Sequence, residues 1–466
     1  MIDYIQIENF KCWRNTGRVL LAPLTVFFGA NSSGKSSIGQ FLMMLKQSVE
    51  SSDRKVVFFT GNDHSAVDVG LPSDMIYRRD LERSITFSYG WKLQQKDVFE
   101  LVNVITKKKK RITGIDFCGV VGLESSNRRL QVEKLQYTLK DSSGSETGVE
   151  LRRKDTSKVS RTAYELKSNN YDFKRVQGRA WDITSTVRFY GFPDEAVAYY
   201  QNADFLQEIN LYHEKLFSTF FYLGPLRNRA KRIYTWPGSI PRDAGISGEE
   251  AINALLASRT ENRRINLKPG GKLKSIEELV AEELKNMKLI ADFRVSKISE
   301  DRQDYEVKVR TNGSDQFVDI PDVGVGVSQV LPVVTELFYA PPGSTIIIEQ
   351  PELHLHPSAQ AALADVMVDA IHARENVMGR NLQLIIESHS EHFLRRLQRR
   401  MAEGSLHQGE LAAYFINNEN GTKLEPLQID EYGDILNWPK DFFGDIQDDI
   451  YQQAMAAYKK RKEKEA

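Results

Sequence analysis

Apolar residues recur along this chain with two different periods, and the changes between them divide it. Tyr4-Ile5-Gln6-Ile7-Glu8-Asn9-Phe10 alternates apolar and polar positions, which predicts a half-buried strand. Gly17 to Leu21 predicts a second strand. It turns at Pro23 into the apolar run Leu24-Thr25-Val26-Phe27-Phe28, a buried strand, and Ile38 to Lys46 then reads as helix. From about residue 56 to 175, short period-two runs such as Ser84 to Tyr89 and Leu130 to Tyr137 alternate with turns such as Asp141-Ser142-Ser143-Gly144, the pattern of an antiparallel meander. Residues 200 to 220 are patterned as helix and end in Phe220-Phe221-Tyr222-Leu223. The stretch 247 to 290 is expected to be helical, with starts at Ser247-Gly248-Glu249-Glu250 and at the capping signal Ser275-Ile276-Glu277-Glu278. Strands are expected near 292–297 and 304–310, followed by alternating strand and helix and a helical tail from about Asp448 ending Lys459-Lys460-Arg461-Lys462. No heptads are sustained, which excludes a long coiled coil.

Composition narrows the class. The 466 residues suffice for two or three structural units, and 63 basic residues cancel 63 acidic ones, so no global field draws nucleic acid. Cys12 and Cys118 form no metal or redox motif, in keeping with a reducing compartment. Met1-Ile2-Asp3-Tyr4 does not open a secretion signal, and no apolar run approaches the ~20 residues of a membrane helix. A soluble cytoplasmic protein without a membrane partner is expected.

The chemistry begins at Gly29-Ala30-Asn31-Ser32-Ser33-Gly34-Lys35-Ser36, followed by Ser37, which fits G-x-x-x-x-G-K-[ST] between a predicted strand and a predicted helix. Glycines let backbone N–H groups turn inward on phosphates, and a helix N-terminus adds a positive dipole end. Lys35 is placed to reach the β- and γ-phosphates and the Ser36 hydroxyl to ligate Mg2+, so the chain is expected to bind a nucleoside triphosphate. Thr345-Ile346-Ile347-Ile348-Glu349 is a β-branched run closing on an acid; a strand of this kind beside the loop strand would bring Glu349 to the metal. Asp322-Val323-Gly324-Val325-Gly326-Val327-Ser328-Gln329 enters an apolar helix and offers a second anion site. Leu384-Ile385-Ile386-Glu387-Ser388-His389-Ser390 is a further buried strand ending in a histidine.

Taken together in this order, the phosphate loop, the G-x-G-x-S-Q element, I-I-I-E-Q-P-E-L-H-L-H-P and I-E-S-H-S resemble the ABC-type ATPase head shared by the RecF, SMC and OLD (overcoming lysogenization defect) families. Ile7-Glu8-Asn9-Phe10-Lys11 is similar to the first strand of those heads, which brings Lys11 into the nucleotide site. Gly433-Asp434-Ile435-Leu436-Asn437-Trp438-Pro439 with Phe442-Phe443 resembles the C-terminal extension of nuclease-less OLD-like ATPases, such as the ATPase component of the Septu antiphage system. The resemblance implies an α/β fold. It has a mixed or parallel core sheet, an antiparallel β lobe and a helical insertion. It divides the chain into residues 1–55 with the phosphate loop, a β-rich lobe 56–200, a helical insertion with connecting strands 201–315, a C-terminal ATPase lobe 316–430 and an extension 431–466. By the same resemblance, Gly29 to Ser37 hold ATP and Mg2+, Glu349 completes the metal shell, Gly326 and Ser328 complete the site of a second subunit, and His389 is the switch histidine. Leu353 to Pro357 occupy the loop between the two sites. A head-to-head homodimer closed by ATP follows. Where such heads carry a glutamate as the base that orients the attacking water, this chain has Gln350. An amide accepts no proton, so turnover is expected to be slow unless Glu352 or His354 substitutes. The glutamine-bearing loop of such heads has no evident counterpart; the turn Gly224-Pro225-Leu226-Arg227 is the candidate for its place.

Rival readings remain. His354, His356, His389 and His392 offer zinc-ligand spacing and hence a metallohydrolase. Asp430, Glu431, Asp434, Asp445, Asp448 and Asp449 are the acids an intrinsic nuclease would draw on, and a non-enzymatic scaffold is a third class. For DNA, the candidate contacts are Arg227, Arg229, Lys231 and Arg232, with Arg395, Arg396, Arg399 and Arg400 on a helix. Lys107-Lys108-Lys109-Lys110-Arg111 is expected on a hairpin tip. The expectation is an ATP-driven homodimeric switch acting on a separately encoded effector, with a RecF-like DNA-repair ATPase as the alternative.

Overall fold

A computed structural model describes the chain except residues 104–106, 125–127, 155–162, 179–181, 419–420, 440–441, 443–450, 458–459 and 462–466. The fold is mixed α/β, built from several sheets with helices between them. At its centre a six-stranded sheet runs in the order Phe220–Leu223, Thr345–Glu349, Gln383–Glu387, Leu24–Gly29, Leu411–Asn417 and Lys423–Pro426. The first five strands are parallel, and the last returns antiparallel at the edge. Parallel strands buried on both faces need apolar side chains throughout. The Leu24–Gly29, Thr345–Glu349 and Gln383–Glu387 strands accordingly show no exposed position.

Alternation along these strands decides what covers each face. Val26, Phe28, Ile346, Ile348, Leu384 and Ile386 point to one core, filled by the helices Ala251–Thr260, Ile276–Asn286, Val325–Tyr339, Pro357–His372 and Glu391–Ala402. Phe27, Ile347 and Ile385 point to the other, filled by Lys35–Glu50, Phe205–Ser218 and the inner face of a second sheet. That sheet has nine described strands, all antiparallel, and its main path includes Ile85–Lys92, Lys109–Leu123, Leu130–Asp141, Glu146–Arg153 and Tyr164–Asn169 in meander order. Ile2–Phe10 joins it beside Ile85–Lys92. Of the basic run expected on a hairpin tip, Lys109, Lys110 and Arg111 lie instead inside the Lys109–Leu123 strand, paired with Val102, Leu101 and Glu100.

Four local expectations are corrected. Phe220–Leu223 is not the end of the preceding helix, which stops at Ser218, but a strand on the edge of the central sheet. Residues 247 to 290 form two helices separated by a strand at Arg264–Asn266. The first begins at Ala251 after Glu250 rather than at Ser247, whose side chain binds Glu249 instead. The Ser275/Glu278 capping box is formed, with Ser275 N–H donating to Glu278 at 2.7 Å and Glu278 N–H to Ser275 Oγ at 3.2 Å. The strand expected over Gly17 to Leu21 is confined to Val19–Leu20. In the C-terminal tail, residues 451–457 are helical, while Phe443, Asp445, Asp448, Asp449, Lys459 and Lys462 lie outside the described residues. Among the described residues, no helix is long and apolar enough to cross a membrane.

Candidate functional site

The Gly29–Ser37 loop sits at the carboxyl end of the central sheet, the usual ligand edge of an open parallel sheet. Two glycines are required by its shape. Gly29 has φ +150°, and a Cβ there would lie 2.6 Å from the Ile416 carbonyl oxygen. Gly34, at φ +100°, caps the Lys35–Glu50 helix, and a Cβ would collide with Cys12 Sγ. Ser32 is also left-handed, at φ +57°, and Asn418 donates to its carbonyl at 3.1 Å. Lys35 is 4% exposed and its ammonium donates to the carbonyls of Gly29 at 3.0 Å and Ala30 at 2.7 Å. Burial lowers its pKa, against the fields of Glu387 and Glu352. Ser33 Oγ is buried and makes no hydrogen bond. Ala30 and Asn31 complete the exposed lip, while Ser37 touches Cys12 Sγ at 3.7 Å. Lys11 lies across the helix, donating to Gln40 at 2.6 Å.

The acids arrive from two other strands. Glu349 is not beside the loop strand as expected: Gln383–Glu387 lies between, with Glu387 paired to Phe27 on one side and to Glu349 on the other. Glu349 accepts from Tyr222 Oη at 2.9 Å, and burial, followed by the neighbouring Glu387, raises its pKa to about 7. Glu387 is likewise raised by burial, while contacts with the Ser36 and Gln350 side chains and the Lys35 charge oppose the rise. Its Oε2 is buried without a hydrogen bond. Gln350 holds a left-handed φ of +44° and donates its N–H to the Glu387 carbonyl at 2.9 Å. Glu352 reaches under the next loop, where Oε1 accepts from Ser388 Oγ at 2.9 Å and His389 N–H at 2.6 Å. Burial, then the Lys35 charge, lowers the His389 pKa, and a hydrogen bond with the Gly29 backbone opposes the shift.

Sequence reasoning gave no site role to Tyr222 or Glu387; it offered Arg227 as a candidate DNA contact and its turn as the candidate for the glutamine-bearing loop of the site. Arg227 is instead buried behind the acids, donating to the Glu349 carbonyl at 3.0 Å and the Gln350 carbonyl at 3.4 Å, and burial lowers its pKa to about 10. The turn Gly224-Pro225-Leu226-Arg227 therefore supplies a cation to the backbone of the acidic loop. The other proposed DNA cations are largely committed. Arg232 pairs with Asp319 and Asp322, Arg395 with Glu391, Arg396 with Asp365, Arg399 with Glu403, and Arg400 with both Asp365 and Glu403. Among the described residues, no three His, Cys, Asp or Glu side chains are gathered to hold a metal ion, so His354, His356, His389 and His392 are not a zinc cluster. His356 caps the Pro357–His372 helix instead. Gly326 packs on the His354 carbonyl, and the partly exposed Ser328 turns its hydroxyl to the Val325 carbonyl at 2.8 Å.

The residues suit a triphosphate with its cation. A glycine-shaped loop, a buried ammonium, a hydroxyl and an acid with a free buried oxygen are brought together at one sheet edge.

Three family models match the chain. Residues 1–214 match a family described as "AAA ATPase domain", and residues 245–395 match one described as "AAA domain, putative AbiEii toxin, Type IV TA system". Residues 407–453 match a "Protein of unknown function (DUF3696)" family. No curated protein matches the chain. Similar solved structures include an SMC head bound to the C-winged helix domain of ScpA (10% identity, TM-score 0.41, covering 92% of this chain and 98% of that one). Another is the SMC head domain from Thermotoga maritima (10%, 0.37, 92% and 99%). A third is an Smc head with an extended coiled coil bound to the C-terminal domain of ScpA derived from Pyrococcus furiosus (10%, 0.38, 92% and 96%). The AAA matches cover both halves of the site, the loop with Lys35 in one and Glu349, Glu387 and His389 in the other, and they support an ATPase of the AAA type.

Proposed function

We propose that the chain is a slow, ATP-driven homodimeric switch that controls a separately encoded effector protein. The observation that carries this reading is the convergence of Lys35, Ser36, Glu349, Glu387 and His389 at one sheet edge, with an amide rather than an acid at Gln350. Lys35 and the loop N–H groups would hold the phosphates, and the Ser36 hydroxyl with the strand-end acids would hold Mg2+, which supplies charge neutralisation to the triphosphate. Glu352 commits Oε1 to Ser388 and His389, while its Oε2 is buried without a hydrogen bond, so it stays the candidate to replace the missing base. Slow hydrolysis lengthens the ATP-bound state, as suits a switch. The trans contact of Ser328, the closed dimer and an antiphage role rest on the resemblance to OLD-like ATPases. The toxin–antitoxin wording of the matched family description is in keeping with an effector.

The test is fluorescent ATP-analogue binding, followed by native capture of partners with and without ATP. Lys35→Ala should lose at least 100-fold in affinity while keeping wild-type circular dichroism, and ATP-dependent capture of a protein effector should disappear with it. Retained affinity would overturn the site, and capture indifferent to ATP would overturn the switch.

A further inference from the structure

We infer that a cleft between the helices Ile276–Asn286, Pro357–His372 and Glu391–Ala402 is a second ligand site, and that it takes the ammonium end of a small linear amine. The cleft is separate from the nucleotide edge: Asp369, which lines it, stands about 18 Å along its helix from Pro357.

The cavity measures about 410 Å3, and Glu283, Asp365 and Asp369 line it together with Arg396 and Arg400. Asp365 engages both arginines, accepting from Arg396 and from Arg400 Nε at 2.7 Å, and Arg400 also donates to Glu403 at 2.6 Å. These cations are already matched, which leaves Glu283 and Asp369 without a base. Among the described residues Asp369 makes no hydrogen bond and no ion pair. Burial, then the Asp365 charge, raises its pKa, and the fields of Lys268, Arg400 and His372 do not cancel the rise.

Glu283 supplies the observation that points to a ligand. It is 2% exposed; its Oε2 accepts from the Asn286 amide at 3.3 Å, and its Oε1 is buried without a hydrogen bond. Buried acid oxygens without a partner also occur at Glu336, Glu352 and Glu387. Glu352 and Glu387 belong to the nucleotide edge, and Glu336 is sealed in the core, where it accepts from Ala244 N–H at 2.7 Å. Glu283 differs in lining an open cavity that holds a second unpaired carboxylate.

An unpaired buried carboxylate is costly, and two in one cavity repel each other; an ammonium group brings three N–H donors to their free oxygens. A metal ion is the poorer occupant, since among the described residues no three His, Cys, Asp or Glu side chains are gathered to hold one. The floor suits an alkyl chain. Met287 and Ala362 lie beside the acids, and a second cavity of about 510 Å3, sharing Asp369 and Arg400 with the first, is lined by Leu267 and Val368.

The experiment is isothermal titration calorimetry of the full chain with putrescine, and with 1,4-butanediol as the uncharged ligand of matching length. Expected is saturable one-to-one binding of putrescine, no binding of butanediol, and an affinity at least tenfold weaker in Glu283→Gln and in Asp369→Asn. Wild-type circular dichroism shows that each variant is folded, and where one is not, the contrast between the two ligands on wild type decides. Absence of saturable putrescine binding, equal binding of butanediol, or unchanged affinity in either folded variant overturns the site. Displacement of putrescine by an equal concentration of Mg2+ would make it a metal site. Nα-acetyl-lysine methylamide binding as tightly as putrescine would make it a seat for the lysine of another protein, and either result overturns the free amine.

Discussion

Gln350 has a left-handed backbone, at φ +44°, and its side chain helps to hold down the Glu387 pKa. Its conformation is set by a backbone bond, so a change of side chain leaves the fold of the turn in place. Gln350→Glu should therefore raise the rate of ATP hydrolysis by about tenfold or more, toward the range a positioned general base supplies. Single-turnover hydrolysis checks this, and an unchanged rate would assign the attacking water to Glu352 or His354. The phosphate loop was legible in the sequence because its nine residues are contiguous. Tyr222, Arg227 and Glu387 were not, because they meet Glu349 and Ser36 only through the folded sheet. A signal did exist for Glu387: Leu384-Ile385-Ile386-Glu387 repeats the pattern of Ile346-Ile347-Ile348-Glu349, two buried strands each closing on an acid.

Among the elements, the Phe205–Ser218 helix docks on the antiparallel sheet through a fully buried histidine. The Tyr89 hydroxyl and His213 Nε2 are 2.9 Å apart, His213 Nδ1 and Tyr137 Oη 2.7 Å apart, and Tyr137 donates to the Tyr190 carbonyl at 3.0 Å. With Tyr137 donating onward, Nδ1 carries the proton and every group in the chain is paired. Burial depresses the His213 pKa well below its ordinary value. The unfolded chain therefore takes up this proton first. The stabilisation is complete above the unfolded pKa of about 6.5 and is lost as pH falls below it, by up to about 1.4 kcal/mol per unit. Denaturant midpoints between pH 7.5 and 5 should fall more steeply for wild type than for His213→Gln, and parallel slopes would show that the imidazole charges inside the fold. At this scale the meander was readable from its period of two. Phe220–Leu223 was not, because four consecutive apolar residues carry no period, and only pairing with Thr345–Glu349 makes them a strand.

For the whole molecule, the partly exposed Ser328 stands at the start of the Val325–Tyr339 helix, with Val325 53% exposed beside it. If a second copy completes the site from this face, Ser328→Arg should abolish ATP-induced dimerisation in light scattering while leaving monomer stability within about 0.5 kcal/mol, as for other surface changes. A normal dimer would remove the trans contact. Residue type marks Arg395 to Arg400 as cations, but only the fold reveals Asp365 and Glu403 against them.

The order of strands in the central sheet has a consequence for synthesis. The loop strand is made about 350 residues before its two neighbours, Gln383–Glu387 and Leu411–Asn417, and Gly29 rests directly on Ile416. Until the ribosome has passed those residues, the loop strand has neither of its neighbours. A chain stalled or clipped before them holds the recognisable phosphate-binding sequence but no pocket, so an unfinished copy is inert and cannot discharge whatever the complete protein governs.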